Sequence, residues 1–451
     1  MNKQKDKLNL KKERDNSSPV TLKILVFFFI LAAGFLVSFL IPLRPSVSAS
    51  EKRLLSPFPS FSAESLFEGQ YFKDIDLWFS DTFPFREKII LVNGALHRLY
   101  GINAVQIKGD VEQGDDIPDA PPKPSLTSSP PATSAPATPV TTTTAATTQA
   151  ADLGDTQTFG AVLLYGNQAF EYYNFRKDMA ARYAALINKT AAKMSGVNFY
   201  EMIVPNSTAI TLPENMKSSI NSSDQEKAIN YMYNLMEPSV KTVNVYDTLI
   251  AHHAEYVYFR TDHHWTALGA YYGYEQWAKA KGVEPVPLDK YEKVTYDGFL
   301  GSFYASTNKN TTLSKTPDAI EVFKPFNSTQ MTITDKKDKV FKWSVVTDVT
   351  GWGAESKYST FIGGDNPYTL IENKDLTDGS SCFVFKESYA NAFIPFLVPH
   401  YQKIHIVDYR YWKGNVANFV SQNGVKDVFF INNISATRSE ALIARMEKLT
   451  G

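Results

Sequence analysis

The chain has 451 residues, 43% of them hydrophobic, enough to bury the core of one large domain or two ordinary ones. Its 46 Lys and Arg nearly balance its 47 Asp and Glu, which excludes the basic footprint of a nucleic-acid binder. The single cysteine, Cys382, excludes an intramolecular disulfide and a cysteine-based zinc site, and within the apolar run SCFVF it reads as a core residue.

Residues 1–19 form a basic tail containing Lys3, Lys5, Lys7, Lys11, Lys12 and Arg14. Residues 20–42, VTLKILVFFFILAAGFLVSFLIP, are almost unbroken apolar. At ~1.5 Å per residue a helix of this length spans a hydrocarbon core of ~30 Å. The positive-inside bias places the tail in the cytoplasm and the remainder outside, as a single-pass protein of the cell membrane. A cleaved signal peptide, with SVSAS as its processing site, is the competing reading. The run exceeds the usual apolar core of such peptides, ~7–15 residues, so a retained signal anchor is expected.

Residues 43–110 are aromatic and mixed in charge and read as a folded juxtamembrane segment. Residues 111–157 are dominated by Pro, Thr, Ser and Ala, with too few apolar side chains to offset the entropy of ordering, and read as a disordered loop. From 158 to 451 strands alternate with helices. GAVLLYG, NFYEMIVP and KTVNVYD read as strands; FRKDMAARYAALINKTAAKMSG and SDQEKAINYMYNLMEP read as helices. The rhythm resumes with SCFVFK, a helical SYANAFIPFLVPHY, KIHIVDY and DVFFIN. Such alternation implies an α/β domain, with a mostly parallel sheet flanked by helices. Residues 298–375 are strand-like and irregular and read as a β-rich insertion.

Four of the seven histidines, His252, His253, His263 and His264, lie within thirteen residues. The helix TALGAYYGYEQWAKAKG follows His264 and ends at Gly282, so Asp262 to Trp265 are expected where a short strand, YVYFR, meets a helix. Ligands of open α/β sheets bind at such carboxyl edges. In an extended stretch Asp262 and His264 project to the same side, and a carboxylate can then orient an imidazole. His263 is expected to point away, into packing or hydrogen bonding. Ser388, where the strand CFVFK gives way to a helix, would supply a hydroxyl beside backbone N–H groups suited to a developing oxyanion. The bland alternatives are a helix cap for Ser388, a helix cap for Asp262 and a structural His pair. Metal binding by His252, His253, Asp262, His263 and His264 is the rival chemistry. Adjacent residues rarely chelate one ion and no H-E-x-x-H spacing occurs, so no metal is expected.

The stretch YFRTDHHWTALGAYYGYEQW resembles the signature of the bacterial DHHW protein family. That family is similar to the alginate O-acetylation proteins of the AlgJ/AlgX type, whose domain is SGNH-hydrolase-like. Their Asp-x-His pattern matches Asp262 and His264, and their downstream Ser matches Ser388 in FKESYANAF. The segment IHIVDYRYW, with Asp408, Arg410 and Tyr411, resembles the stretch after the nucleophile helix in those proteins. The resemblance spans roughly 160–440, the anchor and the stretch SPFPSFSAESLFEGQYFKDIDLWFSDTFPFREKI. This chain departs in carrying Glu387 where relatives commonly have Asp before the Ser. Its Asp-His-Ser order is the reverse of ordinary SGNH hydrolases, as in the alginate proteins.

The resemblance implies Ser388 as nucleophile, His264 as base then acid, and Asp262 as orienting group. It implies acyl, most simply acetyl, transfer to hydroxyls of a cell-surface polysaccharide. It also implies a multi-pass membrane O-acyltransferase as partner. No nucleotide or coenzyme A site is visible, so no cofactor is expected. Arg410 is a candidate for holding an anionic sugar or the acyl carbonyl, with a salt bridge to Asp408 as the alternative. Trp265, Tyr389 and Tyr411 are candidates for stacking on sugar rings, with core packing as the alternative. Two other classes stay open: a carbohydrate acetylesterase using the same triad, and a non-catalytic envelope scaffold or glycan-binding protein. A Ser388 buried or remote from His264 favours the scaffold.

Overall fold

Strands covered on both faces need apolar side chains pointing both ways, and SCFVFK shows how this chain meets that need. Cys382 and Val384 enter one core, Phe383 and Phe385 the other, and all four are fully buried. In the computed structural model the described residues are 22–29, 32, 47–48, 53–54, 56–67, 69–85, 106–109, 111–119 and 161–451. They fall into two units, the described residues up to 85 in one and those from 106 onward in the other.

In the first unit, helices α1 (Ala63–Phe67) and α2 (Gln70–Asp81) are joined through Gly69, whose φ of 76° suits glycine. Phe58 packs edge-to-face on Trp78 at 4.8 Å, and Phe61 on Tyr71 at 5.4 Å. Of the apolar run 20–42, residues 22–29 are helical and most of the rest lies outside the described residues. Among the described residues no helix is long and apolar enough to cross a membrane. The basic tail 1–19, and 120–157 of the Pro/Thr-rich stretch, also lie outside them.

The second unit begins with strand β1 (Gln106–Lys108), which pairs with β2 (Val162–Tyr165) and through it with β3 (Gln168–Glu171). Residues 111–119 run along the same unit: Asp115 N–H donates to Phe175 O, and Asn174 Nδ2 donates to Glu112 O. There follow α3 (Lys177–Ala192), β4 (Asn198–Val204), α4 (Gln225–Asn234), β5 (Val240–Thr242) and α5 (Ala267–Lys281). Next come β6 (Glu292–Phe299), β7 (Asp318–Lys324), β8 (Thr329–Thr334), β9 (Val340–Trp343), β10 (Tyr368–Asn373), β11 (Ser381–Lys386) and β12 (Lys403–Asp408). The chain closes with α6 (Val416–Gln422), β13 (Asp427–Asn433) and α7 (Glu440–Thr450).

Eight strands form one sheet in the order β9-β8-β10-β12-β11-β13-β4-β5. The expected mostly parallel sheet is a mixed one. β12, β11, β13, β4 and β5 pair in parallel, whereas β10, β8 and β9 extend the edge antiparallel. Much of the β-rich 298–375 stretch is therefore part of the central sheet, and β6 with β7 makes a separate ribbon. One face of the sheet packs on α5 and on residues 388–400, the other on α3, α4, α6 and α7.

Two local expectations change. YVYFR is no sheet strand; it turns back on itself, with Tyr258 bridging Trp265 and Phe259 N–H donating to His264 O. SYANAFIPFLVPHY is two 3-10 segments, Ser388–Ala392 and Ile394–His400, rather than an α-helix. Pro395 and Pro399 remove the N–H groups that an α-helical ladder would need.

Candidate active site

β11 ends at Lys386, paired with Asp408 of β12 and Ile431 of β13, so Glu387 and Ser388 stand at the carboxyl edge of the parallel strands. The 261–265 turn reaches the same edge from the start of α5. Thr266 caps that helix by accepting from Gly269 N–H, which frees Asp262 of capping. Trp265 is completely buried under α5, and Gly273 permits this, because a Cβ there would press on the indole at 2.9 Å.

The structure brings Asp262, His264 and Ser388 into one hydrogen-bonded chain. His264 Nε2 lies 2.8 Å from Ser388 Oγ, and His264 Nδ1 lies 2.5 Å from Asp262 Oδ1. Asp262 Oδ1 also accepts from the His264 N–H at 2.9 Å. Burial alone would raise the Asp262 carboxyl. The adjoining imidazoles of His264 and His263, which favour its ionised form, and the hydrogen bonds from His264 and Ser302 outweigh it and hold the group well below the usual carboxylate range. An ionised carboxylate only accepts, so His264 carries its proton on Nδ1 and offers the Nε2 lone pair to the Ser388 hydroxyl. The three residues are 3–4% exposed.

Aromatic groups enclose this chain. Tyr358 stacks on the His264 ring at 3.9 Å with an interplanar angle of 9°, and its hydroxyl donates to Ser388 O at 3.1 Å. Two further bonds tie the histidine turn to the serine turn. Trp265 Nε1 donates to Tyr389 O at 2.8 Å, and Tyr389 OH donates to His263 O. Trp265 and Tyr389 are both fully buried, so neither presents a face to a sugar ring; their expected stacking role gives way to packing and positioning.

Glu387 is buried beside the serine. Its Oε1 accepts from Asn433 N–H at 2.9 Å, while its Oε2 accepts from Tyr389 N–H at 3.2 Å and lies 3.2 Å from Ser388 Oγ. Burial pushes its carboxyl up, against the opposing charges of Arg410 and His264. The N–H of the residue after Ser388 is thereby engaged. Asn433, at the end of the adjacent β13, has a buried Nδ2 with no hydrogen-bond partner among the described residues.

Arg410 sits in a closed charge cluster. It meets Asp408 Oδ1 at 2.9 Å and Oδ2 at 2.6 Å, and Asp365 Oδ2 at 2.8 Å. Lys386 Nζ reaches the same carboxylates at 2.8 and 3.2 Å. Burial would lift Asp365, but Lys386 and Arg410 hold it well below its usual range. The salt-bridged alternative for Arg410 is the one the structure shows. Tyr411 is half-buried, with Lys336 Nζ 3.8 Å over its ring.

His263 does not point away from His264. The turn is bent rather than extended, the ring centroids lie 3.7 Å apart, and His263 Nδ1 meets Ser302 Oγ at 2.7 Å. Burial and the neighbouring His264 push its imidazole well below the usual range. His252 is half-buried and His253 exposed, and both are bonded locally, to Glu255 and to Ile250 O. Among the described residues, Asp262, His263 and His264 are the cluster whose donor atoms, within 4.8 Å of one another, have metal-ligand spacing. An ion there would have to displace the Asp262–His264 bond.

A model of the family described as "DHHW protein" matches residues 51–123 and 131–407. The chain belongs to the DHHW family. It is similar to the crystal structure of a DHHW family protein from Eubacterium siraeum, at 30% identity and a TM-score of 0.58, covering 64% of this chain and 95% of that one. Bacillus cereus PatB1 in its sulfonyl adduct is 20% identical with a TM-score of 0.53, covering 62% and 97%, a likeness of fold. The O-acetyltransferase domain of Pseudomonas putida AlgJ is more distant, at 12% identity and a TM-score of 0.36, covering 63% and 98%. No curated protein matches the chain.

Sequence reasoning missed Ser302, Tyr358, Asn433 and Asp365, and had no role for Glu387 beyond noting it as a departure. Ser302 opens a short helix, Tyr358 lies in a 3-10 segment, Asn433 ends a strand and Asp365 sits in a loop, with no local pattern to mark them; only the fold brings them to Asp262, His264 and Ser388.

Proposed function

We propose that this DHHW protein is an extracytoplasmic O-acyltransferase that moves an acyl group, most simply acetyl, onto hydroxyls of a cell-surface polysaccharide. One observation carries the chemistry: the unbroken Asp262–His264–Ser388 hydrogen-bond chain. His264 Nε2 takes the Ser388 proton as Oγ attacks the donor's carbonyl carbon. The tetrahedral intermediate collapses, the leaving group departs with that proton, and Ser388 is left acylated. An acceptor hydroxyl then gives its proton to His264 and attacks the acyl carbonyl, and Ser388 Oγ leaves and is reprotonated. The unpaired Asn433 Nδ2 is the side-chain donor we assign to the oxyanion.

The scaffold reading favoured a Ser388 buried or remote from His264. Ser388 is buried, yet bonded to His264, and a serine merely capping a turn has no need of an imidazole at 2.8 Å. Enclosure by Tyr358 limits access of water, which supports transfer over the hydrolysis of an esterase. Anchoring through residues 20–42, a multi-pass membrane partner that supplies the acyl group, and the polysaccharide acceptor rest on the sequence and its resemblance.

The test is to incubate the full chain with an activated acetyl ester and map acetyl by intact and peptide mass, beside Ser388→Ala and His264→Ala. Acetyl on Ser388 that is absent from both variants, and that moves to added oligosaccharide, is the expected result. A folded wild type that never acylates overturns the proposal.

A further inference from the structure

Asp262 accepts four hydrogen bonds, and two of them come from a turn outside the triad. Ser302 N–H and Ser302 Oγ both reach Asp262 Oδ2 at 2.8 Å, while His264 occupies Oδ1. Because the carboxylate only accepts, the Ser302 hydroxyl proton points at Oδ2 and its lone pairs face His263. His263 Nδ1 lies 2.7 Å from that oxygen and His263 N–H lies 3.2 Å from it. The imidazole therefore carries its proton on Nδ1 and fixes the rotor of the serine hydroxyl.

The turn comes this close because residue 301 is glycine. A Cβ there would fall inside the van der Waals envelope of Asp262 Cβ, Cγ and Oδ2. Gly301 N–H donates to Thr261 Oγ1 at 3.1 Å and Tyr304 N–H to Thr261 O at 3.0 Å, stitching the two segments together. The His263 ring packs against His264 and Tyr389, and its Nδ1 lies 3.7 Å from Asp262 Oδ1.

We propose that Ser302, seated by Gly301 and oriented by His263, is a positioning residue that aims the Asp262 carboxylate at His264 Nδ1. This gives the first histidine of the pair a role that the triad leaves unassigned. Without the Ser302 hydroxyl, Oδ2 keeps one backbone donor and the carboxylate is less tightly held against rotation about its Cβ–Cγ bond. Misplacement of a catalytic group on the ångström scale costs up to about 10²-fold in rate.

The inference rests on the triad geometry, and its test has a readout independent of turnover. In the full chain with isotope-labelled histidine rings, a strong Asp–His bond gives a far-downfield Nδ1 proton for His264. The same preparations are treated with phenylmethylsulfonyl fluoride, and the saturable rate of Ser388 modification is followed by mass. In Ser302→Ala the proton should move upfield or exchange faster, and the maximal rate should fall by about 10–10²-fold with half-saturation unchanged. Ser302→Thr should restore both, and Gly301→Ala should reproduce the loss from the backbone side. An unchanged resonance and rate in a folded Ser302→Ala overturns the proposal, as does failure of Thr to rescue or a wild type with no downfield proton. A resonance that depends on Ser302 in a protein that never acylates upholds this inference and sinks the proposed function instead.

Discussion

Replacing Glu201 by Gln probes a buried group that the chemistry does not use. Glu201 lies on β4, fully buried against α3. Tyr183 OH donates to its Oε1 at 2.5 Å, and Asn432 Nδ2 donates to the tyrosine oxygen at 2.8 Å. Glu201 Oε2 and Asn432 Oδ1 have no partner among the described residues. A proton on Oε2 would turn an acceptor into the donor that such a site lacks. Burial raises the carboxyl from its ordinary 4.5 to about 8, against the Tyr183 hydrogen bond. Between those limits the folded chain holds a proton that the unfolded chain has released, so stability falls as pH rises from 4.5 towards 8. The slope from this one group is ~1.36 kcal/mol per pH unit, and the full interval, about 8 minus 4.5, amounts to about 5 kcal/mol. Glutamine keeps the acceptor for Tyr183 and puts a permanent N–H₂ where the proton stood. Urea unfolding of the full chain at pH 5, 6, 7 and 8 should therefore show a shallower pH dependence in Glu201→Gln and a variant more stable than wild type at pH 8. Groups elsewhere titrate alike in both proteins and cancel in the difference. Parallel curves for the two proteins would refute the reasoning.

Asp262→Asn leaves the shape of the site but offers His264 an amide instead of a carboxylate; acylation of Ser388 should fall by about 10³–10⁴-fold with the fold intact by circular dichroism. Asn433→Ala removes the unpaired Nδ2 and should lower kcat by about 10²–10³-fold with little change in KM, read with an activated ester. Asp408→Ala strands Lys386, 1% exposed, and Arg410 without one of their two carboxylates, and should destabilise the fold by about 3–5 kcal/mol in urea unfolding.

The strand–helix rhythm of the second unit was legible because its central strands are covered on both faces. SCFVFK and DVFFIN had to be apolar whichever way their side chains pointed. The antiparallel edge was not legible: β10 joins β12 through pairs such as Tyr368 with Val407, and nothing local to 368–373 records that register. The 3-10 path of residues 388–400 was open to reading from Pro395 and Pro399, whose missing N–H groups outweigh the helical periodicity. Asp262, His264 and Ser388 could be found because their residue types are chemically conspicuous at element boundaries. Ser302 and Asn433 could not, since a serine 40 residues from Asp262 and an asparagine 45 from Ser388 look like any other loop polar groups until the chain folds.

The two buried aromatics show how a site residue can be recognised and its role misread. Trp265 and Tyr389 flank His264 and Ser388 in sequence, and aromatics beside a polar site invite a reading as sugar platforms. The fold uses their polar ends instead. The indole N–H reaches the carbonyl of Tyr389, next to Ser388, and the phenol returns to the carbonyl of His263, next to His264. Each bond spans more than 120 residues of sequence, and together they cross between the two turns that carry the triad. A hydrogen bond of this kind contributes only ~0.5–1.5 kcal/mol to stability. Its larger effect is geometric, because a nucleophile and base on separate loops must stay within hydrogen-bond reach of each other. Any surface that meets the proposed acceptor must then be built by groups outside this buried pair, and Tyr358, half-buried with its ring against His264, is the aromatic placed to contribute to it.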